Sequence, residues 1–298
     1  MYDDIRFIVG FFSFWTGATI ASFLNVVIWR VPRGESIVSP PSHCPKCGAA
    51  IRWWQNIPIL SWLALRGKCA SCRAPISPRY IFVEALGGAL FLAAFLKYGG
   101  ALAGVICGMH MSVGAALGIA CLLVAWMWIA LMMVGSFIDF DHQLLPDFVT
   151  VGGMVLGVCW ALARTACGFL CEDFAGATAA ARLMPLLMSL AGLVFGFGLL
   201  WLVRWAGSKA FGREAMGMGD VFLMGAVGAL FGPESVLVTL VLSSIVGSVV
   251  GVGMILLAKT RLGRFTEIPF GPYLCMGCLA YMFWGEEICR WYVRLLGF

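Results

Sequence analysis

Charged residues are scarce in this sequence. Asp, Glu, Lys and Arg make up 12% of the 298 residues, while hydrophobic residues make up 61%. Typical globular domains contain about a quarter charged residues. A soluble fold of this length cannot cover so much apolar surface, so the composition excludes a water-soluble protein and indicates a lipid bilayer as the solvent for most of the chain.

Acidic residues are nearly absent from one stretch, residues 31–80. Only Glu35 opposes seven basic residues there, which gives a net charge of +6 (seven minus one). The basic residues are Arg33, Lys46, Arg52, Arg66, Lys68, Arg73 and Arg79. Such a stretch can bind nucleic acid, but this one lies between two apolar segments. The positive-inside rule explains it without a nucleic-acid partner and predicts a cytoplasmic loop.

The N-terminus lacks the basic start of a cleaved signal peptide. Asp3 and Asp4 precede the first apolar run, the run is long, and basic residues follow it. These features favour a retained transmembrane helix over about residues 5–29.

Further apolar runs predict eight membrane spans, since a spanning helix needs about 20 mostly apolar residues. The spans are near 5–29, 81–98, 113–138, 148–168, 183–205, 220–232, 236–258 and 270–285. Of the loops 30–80, 139–147, 206–219 and 259–269, three are basic, which favours both termini outside and these loops in the cytoplasm. We therefore expect an all-α polytopic membrane protein with a small cytoplasmic zinc-knuckle domain. It divides into a first helix (1–29), the zinc-binding loop (30–80) and a helical domain (81–298).

Two C-x-x-C pairs lie in the basic loop, separated by 21 residues: Cys44 with Cys47, and Cys69 with Cys72. Each pair places two thiolates on one tight turn, and two turns can complete a tetrahedron around zinc. Reduced cytoplasmic thiols favour metal binding over disulfides. A redox-active dithiol or an iron–sulfur cluster is the alternative, and His43 is an alternative ligand. Four cysteine ligands leave no open coordination position, so the predicted zinc is structural.

The remaining eight cysteines lie in apolar stretches, where cysteine usually packs as a small hydrophobe. Cys275 and Cys278 also form a C-x-x-C pair, but within the last predicted span, and we expect them to belong to the core.

Carboxylates at two membrane-span ends are functional candidates, because an acid in a span is energetically expensive. Asp139 ends one apolar run, and Asp220 follows Gly217 and Gly219 and opens another. The predicted topology puts both at cytoplasmic helix ends, where they can meet although about 80 residues separate them. Two carboxylates in one site tend to share one proton, and such a pair can activate water and protonate a leaving amine. The two glycines leave room for an extended substrate.

Other interpretations fit the same acids. A carboxylate pair can bind a metal or transported ion, and acids at helix ends often cap the helix. Asp147 after Pro146 has the pattern of an N-cap, and Asp141 and His142 fit polar loop positions.

The order of these motifs resembles that of the type IV prepilin peptidases, the leader peptidase/N-methyltransferases of type IV pilus and type II secretion systems. The resemblance covers nearly the whole chain. Besides both cysteine pairs and Glu84, it is carried by SFLNVVIWR (22–30), NIP (56–58), SWLALRGK (61–68), PISPRY (75–80), DFDHQLLPD (139–147), GMGD (217–220) and IPFGPY (268–273). One departure is the short loop between the first span and Cys44, since some relatives carry an insertion there that bears on substrate docking.

The resemblance implies that Asp139 and Asp220 are the catalytic pair of a G-x-G-D aspartic peptidase in the bacterial inner membrane, with Asp141 and Asp147 as supporting acids. It implies an eight-helix fold and cleavage after a glycine and before a hydrophobic residue, usually phenylalanine. A substrate glutamate near the new N-terminus is a typical requirement. The implied partners are type IV prepilins or type II secretion pseudopilins.

The sequence lacks a glycine-rich nucleotide fingerprint and the strand–helix alternation of a Rossmann domain. Methyl transfer from S-adenosylmethionine to the new N-terminus therefore rests on the resemblance, with Gly67 and Lys68 as the matching positions. A transporter that binds a cation at the two aspartates, or a secretion scaffold with neither activity, is the alternative. The first would show ion flux without peptide cleavage.

Overall fold

The computed structural model describes residues 2–170, 178–212, 214, 216–257 and 269–295. In this part of the chain the fold is all-helical apart from two isolated β-bridges, as expected. The helices are α1 (Tyr2–Arg30), α2 (Leu60–Ala64), α3 (Arg79–Tyr98), α4 (Gly100–Ile106), α5 (Val113–His142), α6 (Asp147–Leu170), α7 (Ala179–Phe211), α8 (Met218–Phe231), α9 (Pro233–Leu257) and α10 (Gly271–Leu295). Short 3₁₀ turns occupy Val31–Arg33 and Trp53–Asn56.

Each of the eight predicted spans coincides with one of these helices. Among the described residues, six helices are long and apolar enough to cross a membrane: α1, α3, α5, α6, α7 and α9. The 14 residues of α8 extend about 21 Å at 1.5 Å per residue, less than the hydrocarbon thickness of about 30 Å. The second half of α10 carries Glu286, Glu287, Arg290 and Arg294. Part of the charge used to predict the orientation, in 259–268, lies outside the described residues.

The chain forms two compact units, Met1–Val134 and Gly135–Phe298, with the boundary inside α5. The first unit holds the cysteine pairs and the second holds both aspartates. The division predicted from the sequence, into residues 1–29, 30–80 and 81–298, groups residues by expected function and not by compact unit. It stays a prediction.

In the first unit, α1 and α3 pack through glycine. A Cβ at Gly17 of α1 would lie 2.6 Å from the carbonyl oxygen of Gly87 in α3, and a Cβ at Gly87 would lie 2.5 Å from the Cβ of Ala21. Small residues let the backbones of membrane helices approach closely. This contact fixes the position of α1 relative to α3. The loop 31–78 begins where α1 ends and ends where α3 begins.

In the second unit, α8 is the central helix and packs against α6, α7 and α9. Gly228 of α8 faces the backbone of Gly192 in α7 with no space for a Cβ. The Ser189 hydroxyl of α7 donates a hydrogen bond of 2.6 Å to the carbonyl oxygen of Ala229. These contacts fix α8, and with it the position of Asp220 in its first turn.

We expect Gly228→Ala to lower the free energy of unfolding of the second unit by about 1–3 kcal/mol, because the added methyl group overpacks the α7–α8 contact. Gly198→Ala is the matched control, since a Cβ at Gly198 of α7 would meet open space and alanine is the better helix former. Thermal unfolding in detergent measures both variants. Equal melting temperatures for the two would contradict the packing described.

Candidate functional sites

The four predicted cysteine ligands are brought together in the first unit. The sulfur atoms of Cys44, Cys47, Cys69 and Cys72 lie within 4.8 Å of one another, and the Cys44 and Cys72 sulfurs are 3.9 Å apart. Zinc–sulfur bonds of about 2.3 Å in a tetrahedron require sulfur–sulfur distances of about 3.8 Å. The cluster therefore fits one tetrahedral ion. His43 is not part of it, and its Nδ1 lies 3.1 Å from the carbonyl oxygen of Pro41.

Backbone N–H groups of the two turns favour thiolates in the cluster. Those of Cys47 and Lys46 lower the pKa of the Cys44 thiol to about 6, and those of Cys72 and Ser71 lower the pKa of Cys69. The N–H of Ala49 also lowers the pKa of Cys47, but the neighbouring Cys72 thiol, burial and Cys44 raise it to about 11. Sulfurs this close cannot all carry negative charge unless a cation lies among them, so the donor set suits a divalent metal ion.

The two turns have the same construction. The N–H of Gly48 donates to the carbonyl oxygen of Cys44 (2.9 Å), and the N–H of Arg73 donates to that of Cys69 (3.0 Å). Both donors, each directly after a cysteine pair, have positive φ: +69° at Gly48 and +59° at Arg73. Glycine adopts this left-handed conformation readily, whereas arginine adopts it at an energetic cost.

Gly67 and Lys68 precede the second cysteine pair in different environments. Gly67 has φ +66° and is buried, and a Cβ there would lie 2.8 Å from the Trp62 ring. Its carbonyl oxygen accepts a hydrogen bond of 2.7 Å from the N–H of Ile76. Lys68 is exposed. Gly67 thus has a packing role of its own, and the assignment of both residues to methyl transfer stays a prediction.

Two buried charged residues hold the loop to the helices, and sequence reasoning gave them no role. Glu84 of α3 accepts a hydrogen bond of 2.7 Å from the N–H of Ile59, whose φ is +62°. Arg30 at the end of α1 donates to the carbonyl oxygens of Ser36 (2.8 Å) and Pro40 (2.7 Å). Both residues occur in the motifs quoted above. An ionisable residue within or at the end of an apolar run was the signal that could have identified them.

The two candidate catalytic carboxylates lie together in the second unit. Asp139 is near the end of α5 with 7% of its surface exposed, and Asp220 is in the first turn of α8 with 9% exposed. Their separation is small enough for the charges to interact. Two buried carboxylates of this kind can exchange protons with a bound water molecule and with a substrate.

A third helix start completes this site. The N–H of Gly271, the first residue of α10, donates a hydrogen bond to the Asp139 carboxylate. A Cβ at Gly271 would lie 2.5 Å from Oδ2 of Asp139. Leu145 is buried between two glycines: a Cβ at Gly219 would lie 2.8 Å from its Cβ, and one at Gly271 would lie 3.3 Å from its Cδ1. Neither Gly271 nor Leu145 was singled out from the sequence, although both lie in quoted motifs.

The other predicted site residues of this unit are not buried with the pair. Asp141, His142 and Asp147 are exposed, and Asp147 is the first residue of α6. Gly217 is exposed and has an extended backbone, so it leaves the room for a substrate that was expected there. Gly219 is instead packed against Leu145.

Cys275 and Cys278 are buried in α10, as a core role requires. Cys275 is close enough to Asp139 and Asp220 to interact with their charges, so its thiol forms part of the apolar surroundings of the pair.

Two family descriptions match this sequence. Residues 15–98 match the bacterial peptidase A24 N-terminal domain, and residues 121–252 match the type IV leader peptidase family. A prepilin leader peptidase/N-methyltransferase of Pseudomonas aeruginosa is 37% identical over 305 residues, covering 95% of this chain and 92% of the relative. One of Stutzerimonas stutzeri is 36% identical over 301 residues, covering 93% and 91%. No solved structure matches the chain.

Proposed function

Because this chain belongs to the type IV leader peptidase family, we propose that it cleaves the leader peptides of type IV prepilins in the bacterial inner membrane and methylates the new N-terminus. The observation that carries the peptidase assignment is the pair of buried carboxylates, Asp139 and Asp220, brought together from distant parts of the sequence. Pseudopilins of type II secretion are a further substrate class that we include in the proposal.

Cleavage follows from a pair in which one carboxylate is ionised and the other protonated. The ionised carboxylate takes a proton from water while the water oxygen bonds to the scissile carbonyl carbon, and the protonated one gives its proton to the carbonyl oxygen. The tetrahedral intermediate then collapses: the C–N bond breaks, the carboxyl proton that came from water passes to the departing amine, and one hydroxyl proton of the intermediate passes to the other carboxylate, which restores the starting pair. No side-chain nucleophile and no metal take part in these steps.

The surroundings of the pair suit this exchange of protons. Burial among Leu145, Cys275 and the starts of α8 and α10 keeps bulk water away and strengthens every electrostatic contact. The N–H of Gly271 holds the Asp139 carboxylate in a fixed orientation. The exposed, extended Gly217 leaves room for the glycine-containing cleavage junction to reach Asp220.

We expect Gly271→Ala to lower cleavage by about 10²-fold, because its methyl group would displace the Asp139 carboxylate. Gly152→Ala in α6 is the control, since a Cβ there meets open space. Initial rates on a detergent-solubilised prepilin measure the effect. A Gly271→Ala enzyme with the rate of the control would show that Asp139 does not need its present position.

For methyl transfer we propose the loop 30–80 of the first unit as the site, with Gly67 and Lys68 next to the second cysteine pair and zinc at the four cysteines. The free α-amine of the mature pilin would accept the electrophilic methyl group of S-adenosylmethionine and lose a proton, while the sulfur–methyl bond breaks and S-adenosylhomocysteine departs. The zinc ligands leave no open position, so the cluster orders the loop and performs no chemistry. The net charge of +6 over residues 31–80 supports a cytoplasmic loop, with the N-terminus outside and both activities facing the cytoplasm.

Mass spectrometry of a purified prepilin after incubation with the purified enzyme tests both activities. The expected products are a chain shortened at the leader glycine and, with S-adenosylmethionine, the same chain about 14 Da heavier, the mass of one methylene group. An uncut substrate would contradict the peptidase proposal, and a cut but unmodified one would contradict methyl transfer alone.

A further inference from the structure

One arginine of α7 contacts the segment that leads into α8 on both sides of Gly217. The Nε of Arg204 donates to the carbonyl oxygen of Met216 (2.9 Å), and its Nη1 lies 3.1 Å from the sulfur of Met218. Its Nη2 pairs with the Glu214 carboxylate at 3.0 Å. The guanidinium therefore bridges the end of α7 to the residues that precede Asp220.

Within the described part of this segment, the residue at the helix start contributes no side-chain cap. Gly217 is the N-cap of α8 and has no side chain with which to cap the helix. Gly217 is also exposed, and a Cβ there would approach only to 3.9 Å of Oδ2 of Asp220. Glycine has the greatest backbone freedom of any residue. A contact that holds the residues on either side of Gly217 thus restricts the backbone from which α8 starts.

The three contacts of Arg204 are unequal. Glu214 has 81% of its side chain exposed, and exposed ion pairs contribute little. The contacts with Met216 and Met218 belong to an arginine side chain that is only 24% exposed, and they join α7 to the residues around the start of α8. Arginine can make them together because its planar guanidinium presents several N–H donors in fixed directions, which a lysine ammonium cannot do.

We propose that Arg204 is a positioning residue for cleavage. It holds the Met216–Met218 segment, and with it the first turn of α8, so that the Asp220 carboxylate lies where it can act together with that of Asp139. Arg204 acts through the backbone of this segment. The inference rests on the proposed peptidase function, and it adds a residue outside the G-x-G-D motif to the machinery of that reaction.

Steady-state cleavage kinetics of Arg204→Ala and Arg204→Lys test this role. We expect kcat to fall by about 10- to 100-fold in both variants, because a displacement of about 1 Å of a reacting group has an effect of this size. KM should change less than threefold, since the substrate-binding surface is intact. Added methylguanidine should restore part of the kcat of Arg204→Ala and none of that of Asp220→Asn.

Two controls separate positioning from folding. Lys209→Ala removes a cation of the same helix that stacks on Trp205 instead, and Glu214→Ala removes the exposed ion pair; both should keep the wild-type kcat. Methylation of a pilin that is already mature should be unchanged in Arg204→Ala, because we assign that reaction to the first unit. Should Arg204→Ala prove too unstable to assay, Arg204→Lys gives the same comparison.

Wild-type kcat in Arg204→Ala would overturn the proposal. So would an equal loss of cleavage and methylation, which would make Arg204 a general stability residue. If the wild-type enzyme itself fails to cleave, the proposed function fails, and the failure is seen before any Arg204 variant is compared.

Discussion

Asp220→Asn is expected to abolish prepilin cleavage, with a fall in rate of at least about a thousandfold. Asparagine has nearly the shape of aspartate, so the start of α8 should keep its structure, but an amide can neither accept the proton of the attacking water nor donate one to the leaving amine. Asp139→Asn should have the same effect. The measurement is the initial rate of leader release, followed by mass spectrometry of the new N-terminus.

The two carboxylates should act as a unit, which gives a sharper test than either single variant. The double variant Asp139→Asn/Asp220→Asn should be no slower than the slower single variant, because each substitution alone removes the shared proton. Asp147→Asn, at the exposed first residue of α6, should lose far less. A single variant that processes substrate at the wild-type rate would exclude that carboxylate from the pair.

The parts of both sites that follow from local spacing could be predicted from the sequence. Two residues between cysteines place both sulfurs on one turn, so Cys44 with Cys47 and Cys69 with Cys72 were recognisable before any fold was known. The pairing of Asp139 with Asp220 required one further step, the placement of alternate helix ends on the same side of a bilayer. The apolar spans made that step possible, and the two carboxylates do lie together, whereas the orientation in the membrane that it assumed stays a prediction.

Contacts between distant segments could not be read in the same way. Gly271 was visible only as part of the motif IPFGPY, and its hydrogen bond to Asp139 depends on where α10 begins relative to α5. Leu145 looks like an ordinary apolar loop residue until two glycines are found against it. Nothing in the sequence marks Arg204, because its partners, a carbonyl oxygen and a thioether, leave no pattern in a sequence.

Local conformation was also only partly predictable. Gly48 is a residue type that marks a turn in a sequence, but Arg73 takes the same left-handed conformation in the second knuckle, where no glycine marks it. The geometry of the cysteine turn therefore overrides the preference of the residue. The short α8 has a related explanation: it is buried by α6, α7 and α9, so it does not need the length of a helix that spans a bilayer alone.

Cys44→Ser is expected to reduce methylation at least about tenfold while cleavage falls less than threefold, in line with the 10–100-fold effects of disturbing a metal site. A serine hydroxyl is a poor ligand beside three thiolates, so the ion should be lost and the loop 31–78 loosened. The cluster belongs to the first compact unit and both carboxylates to the second, which is why we expect the two activities to separate.

Zinc content by mass spectrometry, leader release and the 14 Da mass increase are measured on the same preparation. Cys107→Ser, a thiol of the first unit outside the cluster, should leave all three unchanged. Equal loss of cleavage and methylation in Cys44→Ser would show instead that the knuckles support the whole fold, and full zinc content in that variant would show that Cys44 is not a ligand.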